Sequence, residues 1–88
     1  MGSWGGQIAS IANCEVAVIS DLPANNFANG ECNAIWVGGA GDVAVVMANG
    51  TPFTFAGVQD GTLIPIRAIR VNLTNTTATD ILALYTRT

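Results

Sequence analysis

Val43-Ala44-Val45-Val46-Met47-Ala48-Asn49-Gly50-Thr51-Pro52-Phe53-Thr54-Phe55 is the stretch that decides the fold. An apolar run meets Asn49-Gly50, and a second run rich in strand-forming residues returns. Asn-Gly between such runs is the strongest short hairpin signal, because both central residues of a type I′ turn need positive φ. The pair therefore predicts a two-residue turn joining strands 43–48 and 51–57. Pro52 is compatible with the first position of a strand or with an edge. Alternation along the return strand sets Phe53 and Phe55 on one face. The outgoing strand shows no polar face: Val43, Val45 and Met47 point one way, and Ala44, Val46 and Ala48 the other.

Further strands read outward from this hairpin. Residues 13–20, 32–38, 62–73 and 79–86 are extended runs, the third interrupted by Pro65. Between them lie a Pro- and Asn-rich loop at 21–31 and three turns. These are Gly39-Ala40-Gly41-Asp42, Gln59-Asp60-Gly61 and Thr74-Asn75-Thr76-Thr77. Short strands at such regular spacing predict an all-β domain, a small antiparallel β-sandwich or barrel of jelly-roll-like character. Residues 1–12, rich in Gly and Ser, read as an extended N-terminal arm in which Trp4 and Ile8 are the anchors, and 13–88 as a single β domain.

Composition narrows the function. The chain has 88 residues, three Arg, no Lys and no His, and only 10% of it is charged. Ordinary soluble domains carry roughly a quarter charged residues. A small domain has a large surface for its volume, so much of this surface must be neutral or apolar, which marks a partner interface. Residues 79–86 repeat the two-faced apolar pattern, with Ile81, Ala83 and Tyr85 opposing Leu82 and Leu84. One face can pack the core of the chain; the other calls for a neighbouring subunit. A formal charge of −3 and a pI near 4.2 offer no basic cluster for nucleic acid or for anionic lipid. No stretch approaches the ~20 apolar residues of a membrane helix, and Met1 to Gly6 lacks the basic and apolar regions of a signal peptide. The N-x-Thr sequences at Asn49, Asn72 and Asn75 read as turn and strand chemistry.

Catalytic chemistry has few carriers. Without His there is no imidazole base or metal ligand, and without Lys no Schiff base or Walker-type phosphate grip. Cys14 and Cys32 have no imidazole or amine to activate them, and they read as small buried thiols or as a disulfide if their strands are neighbours. The carboxylates Glu15, Asp21, Glu31, Asp42, Asp60 and Asp80 are scattered. Gly38-Gly39-Ala40-Gly41 opens no helix and is no dinucleotide fingerprint. No enzyme activity, metal or cofactor is expected. Trp36, Phe53, Phe55 and Tyr85 read as core or interface anchors. Arg67 and Arg70 project to opposite faces of the run 62–73, each toward a carboxylate or carbonyls across an interface.

Three segments carry a resemblance. Ile35-Trp36-Val37-Gly38-Gly39-Ala40-Gly41-Asp42-Val43-Ala44-Val45-Val46 is similar to an "IxVGxAGDVxVV" opening. Val58-Gln59-Asp60-Gly61-Thr62-Leu63-Ile64-Pro65-Ile66-Arg67 is similar to "VPAGTLLPIR", and Arg70 to Tyr85 to "RVxATGTTATDIVALY". Over residues 35–85 the chain resembles the spike-base proteins of tailed phages and gene transfer agent particles, and related capsid-surface proteins. It departs from them at Asp60, which replaces a small residue, and at Asn75, where Gly is frequent; residues 1–34 match nothing in the pattern. The resemblance implies a non-catalytic virion structural protein made in the host cytoplasm and placed on the outer capsid surface. Its role would be that of a cement (decoration) or head-spike-base subunit. Its partners would be further copies of itself, as a trimer or pentamer, the major capsid protein, and a spike or fibre protein, with no nucleic acid and no membrane. Two other readings fit a small β module: a binder of host-surface glycans, and a tail or baseplate subunit.

Overall fold

The computed structural model describes residues 10–86; Trp4, Ile8 and the rest of the segment before Ser10 lie outside the described residues. Within them the chain forms seven strands and one short 3-10 turn, Pro23–Asn25. The strands are β1 (Asn13–Val16), β2 (Ala34–Gly39), β3 (Gly41–Met47), β4 (Pro52–Val58), β5 (Thr62–Ile64), β6 (Ala68–Val71) and β7 (Thr79–Tyr85). They make two antiparallel sheets, a four-stranded one in the order β1-β7-β2-β5 and a three-stranded one in the order β4-β3-β6. Of sandwich and barrel, the sandwich is the one formed.

The core is what alternation predicts for facing sheets. Ile35, Val37, Ile64, Ile81, Ala83 and Tyr85 come from one sheet, and Val43, Val45, Ala68 and Val71 from the other; all are buried in one cluster. Three of the four crossings between the sheets are made at glycine or proline. Between β2 and β3 only Ala40 intervenes, so the expected four-residue turn is a sharp corner between sheets. Gly41 makes that corner at φ +152, where a β-carbon would stand 2.6 Å from the backbone nitrogen of Ala78. No side chain fits there without moving the loop that leads into β7.

Three sequence expectations change in detail. The hairpin after β3 is not a two-residue type I′ turn. Gly50 N–H donates to Met47 O and Met47 N–H to Thr51 O, both at 2.8 Å. Only Gly50 has positive φ (90), so Ala48, Asn49 and Gly50 form a three-residue loop, a tight turn closed by a left-handed residue. One left-handed glycine suffices in that geometry, and Asn49 instead accepts from the Thr51 N–H. The run 62–73 is two strands, not one. Ile66 N–H bonds Ile64 O across Pro65 (2.9 Å), and the chain passes there from the four-stranded to the three-stranded sheet. Proline at the centre of such a turn removes no bond and has the required φ. The first strand is also shorter than expected: after Ala17, whose N–H still bonds Ile81 O, the chain leaves β7, and Ile19 bridges Val71 of β6.

Candidate interaction surface

The register of the four-stranded sheet builds its outer face residue by residue. Val16 of β1 pairs with Leu82 of β7, Leu82 with Trp36 of β2, and Trp36 with Leu63 of β5. Paired residues share a face, so these four side chains form one row across every strand. At a strand spacing of about 4.8 Å the row is about 14 Å long between its outermost strands. A second row runs parallel to it: Cys14, Leu84 and Ala34. No charged residue stands in either row. Val16 is 73% exposed, while Trp36, Leu63, Leu82 and Leu84 are half-buried. The far edge of the Trp36 ring lies beside Gly61, in the turn before β5. Ala34, which ends the second row, is fully buried; the rest of the two rows makes an uncharged apolar strip across this sheet face, where a sheet facing water alternates with polar side chains.

The opposite outer face is different. Ala44 and Val46 of β3, expected to need a neighbour, are buried within the chain at 4% and 7% exposure. Their flanking strands supply Thr54 and Pro52 on one side and Arg70 on the other. Arg70 is held there by Asn72 Oδ1 (from Nε) and Asn26 Oδ1 (from Nη1), each at 2.9 Å. Arg67 pairs with Glu31 at the surface. Both arginines therefore find partners inside the chain; Arg70 stands in β6, whereas Arg67 lies just before it, outside any strand.

Of the other anticipated anchors, Tyr85 belongs to the core, with no exposed area. Its hydroxyl lies 2.6 Å from Glu15 Oε1 and 3.2 Å from Gly30 O. Phe53 and Phe55 sit on β4, in the other sheet, with rings 4.9 Å apart in an edge-to-face arrangement. Phe55 packs against the core, whereas Phe53 is 55% exposed. Trp36 alone of the described candidates lies in the apolar rows. Leu82 and Leu84 announced themselves in the sequence through the two-faced pattern of 79–86. Val16 and Leu63 gave no signal of their own, because only the register aligns them with Trp36.

Glu15, Asp21, Glu31 and Asp42 are engaged in structure. Burial opposes the ionisation of Glu15, but the Tyr85 hydroxyl and the N–H groups of Asn29 and Ala28 outweigh it and hold its carboxyl below the usual range. Thr74 binds Asp21 through its hydroxyl and its backbone N–H and lowers that carboxyl too. Asp42 Oδ1 accepts from the Gly57 N–H at 2.8 Å. Among the described residues no three His, Cys, Asp or Glu gather as a metal site, and no helix is long and apolar enough to cross a membrane. Cys32 is buried and Cys14 exposed, both as free thiols. β7 runs between β1, which carries Cys14, and β2, which Cys32 precedes. Two strand spacings put them beyond the roughly 7 Å that a disulfide spans.

Comparison with known proteins places this fold. A chain of the structure described as "Capsid of native GTA particle computed with C5 symmetry" superimposes with a TM-score of 0.72, over 96% of this chain and 99% of that one, at 24% sequence identity. No family model matches the chain, and no curated protein does. The sandwich found here is therefore the fold of a chain from a capsid particle.

Proposed function

We propose that this protein is a non-catalytic structural subunit of a tailed-phage-type virion, seated on the outer capsid surface as a symmetric oligomer, in the role of a decoration protein or head-spike base. The observation that carries the reading is the pair of uncharged apolar rows on the outer face of the four-stranded sheet, Val16, Leu82, Trp36 and Leu63, and beside them Cys14 and Leu84. An apolar surface of this kind on a small domain is an adhesion surface. It occurs on a fold shared with a chain of a capsid particle. The major capsid protein is the partner this reading assigns to the face, and a spike or fibre protein the partner for a spike base. Few charges take part, so adhesion would depend little on salt.

The test is co-sedimentation of the purified chain with particles from cells that encode it, together with immunogold labelling of those particles. Wild type is expected to sediment with the heads and to retain most of its binding between low and high salt. Leu82→Lys places an ammonium in the middle of the long row and is expected to abolish binding while the far-UV spectrum is kept. Label on tails alone, or binding unchanged in Leu82→Lys, would refute the reading.

A further inference from the structure

A sheet edge presents unpaired backbone N–H and C=O groups, which natural proteins cover, shorten or charge. This sandwich has four edges: β1 and β5 end one sheet, β4 and β6 the other. The β6 edge is covered by the chain itself, because Ser20 N–H donates to Val71 O, Phe27 N–H to Ile69 O and Cys32 N–H to Ala68 O. The β5 edge is three residues long and stops at Pro65. Among the described residues β4 and β1 have no such cover from another segment, Asn13 Oδ1 alone accepting from the Cys14 N–H at 2.9 Å. β4 is seven residues without a charge, exposed along most of its length. The one charge of β1, Glu15, is turned to Tyr85, Ala28 and Asn29. Val16 and Val18, at 73% and 56% exposure, stand in and just beyond that strand.

Hydrogen-bond alternation tells which groups point outward. Met47 N–H bonds Thr51 O, so the next residues of β4 to face β3 are Phe53 and Phe55, and Pro52 and Thr54 face the open side. Pro52 accordingly sits where its missing N–H costs no internal bond. On β1, Ala17 N–H bonds Ile81 O, so Val16 faces away from β7. The two edges lie on opposite flanks. β4 joins β5 through the short turn at Gln59–Gly61, whereas β1 runs on to bridge β6 at the other end of both sheets.

We propose that β4 of one protomer pairs edge to edge with β1 of a second copy, head to tail, so that repetition closes a ring. The inference rests on the symmetric oligomer of the proposed function and assigns its contact. Opposite flanks are what a head-to-tail contact needs, and such contacts close into rings or run on as filaments. β4 carries no charge, and the one carboxylate of β1 is bonded within its own protomer, so the new ladder sets no like charges against each other. A two-fold pairing of β4 with β4 would leave β1 open, and would set Pro52, which cannot donate, into the new ladder twice. The head-to-tail contact uses both open edges and meets that proline once.

Two proline substitutions test the contact. Thr54→Pro and Val16→Pro each remove one outward N–H and no internal bond. Light scattering after size exclusion is expected to give a ring of three or more copies for wild type and a monomer for each variant. The decisive arm is the mixture. Thr54→Pro retains its β1 edge and Val16→Pro its β4 edge, so equal amounts combined are expected to give a species of twice the 9.0 kDa protomer mass and nothing larger. A Val16→Pro variant that remains associated while Thr54→Pro does not, or a mixture that stays monomeric, overturns the proposal. Should either proline variant fail to fold, Phe53→Lys and Val18→Lys replace them, since both side chains are already more than half exposed. A wild type that is monomeric in solution yet sediments with particles overturns the ring and leaves the capsid reading standing. A wild-type ring with the expected mixing behaviour that binds no particle supports the ring and refutes the capsid reading.

Discussion

Replacing Tyr85 by Phe removes one oxygen from the core and tests how the loop before β2 is anchored. The Tyr85 hydroxyl meets Glu15 Oε1 at 2.6 Å, and the same carboxylate accepts from Asn29 N–H (3.0 Å) and Ala28 N–H (3.2 Å). One carboxylate thus ties β1, β7 and the 28–29 loop together. A hydrogen bond to a charged group contributes about 1.5–3 kcal/mol. Glu15 keeps its two backbone donors and some access to water, which points to the lower end, about 1.5–2 kcal/mol. In a domain of this size that corresponds to a fall in Tm of about 6–15 °C. The sign of the pH dependence follows from the depressed carboxyl. A folded-state value below the unfolded one, about 4.3 for Glu, gives stability that is complete above the unfolded value and lost as pH falls through the folded value. The gap between wild type and Tyr85→Phe is therefore expected to be full at neutral pH and to narrow below about pH 4. In a Glu15→Gln background the Tyr85→Phe loss should shrink to about 1 kcal/mol or less, the value of a neutral bond. Urea unfolding at fixed protein concentration, at pH 7 and at acid pH, measures all four corners of the cycle. A loss below about 0.5 kcal/mol at pH 7, or an equal loss at both pH values and in both backgrounds, would refute the reasoning, since that is smaller than one charged hydrogen bond.

Other outcomes follow from single positions. Gly41→Ala should destabilise by more than about 2 kcal/mol, because its β-carbon meets the Ala78 backbone at 2.6 Å and φ is +152; chemical denaturation with an unchanged m-value measures it. Asn75 has φ 71, so Asn75→Gly should be neutral or stabilising by up to about 1 kcal/mol, while Asn75→Val should cost about 1–2 kcal/mol in the same assay. Cys14 should react with a thiol reagent in the folded protein and Cys32 only on unfolding; equal rates would contradict their placement.

The departure at Asn75 shows how local and global readings meet. Gly is frequent there in the pattern the chain resembles, and the structure supplies a physical reason for such a preference: the position needs a left-handed backbone, and Asn is the side chain that tolerates it best after Gly. Asp80, at φ 54, makes a similar demand within β7, and Gly38 opposite it leaves no room for a β-carbon, which would stand 2.9 Å from Asp80 Cβ. Neither feature had a signature in composition or spacing. The hairpin type was misread for a related reason. Asn-Gly marks a turn reliably, but the number of residues in the loop depends on how β3 and β4 pair, and that pairing is long-range.

By itself the sequence determined that the chain is all-β, where most strands and turns fall, and that its surface is short of charge. These are properties of period-two alternation, turn residues and composition, all local or additive. Only the tertiary structure decided which of two apolar faces becomes surface. Strand 43–48 and strand 79–86 look equally two-faced in sequence. β3 is central in its sheet, and Arg70, Pro52 and Thr54 enclose Ala44 and Val46. β7 has Val16 on one side and Trp36 on the other, and so Leu82 adds to an apolar row instead of being covered. Register and sheet order come from pairing between residues far apart in the chain, and a one-residue shift would turn every side chain to the opposite face. That is why the surface proposed to hold the capsid could be inferred to exist, but not located, before the strands were paired.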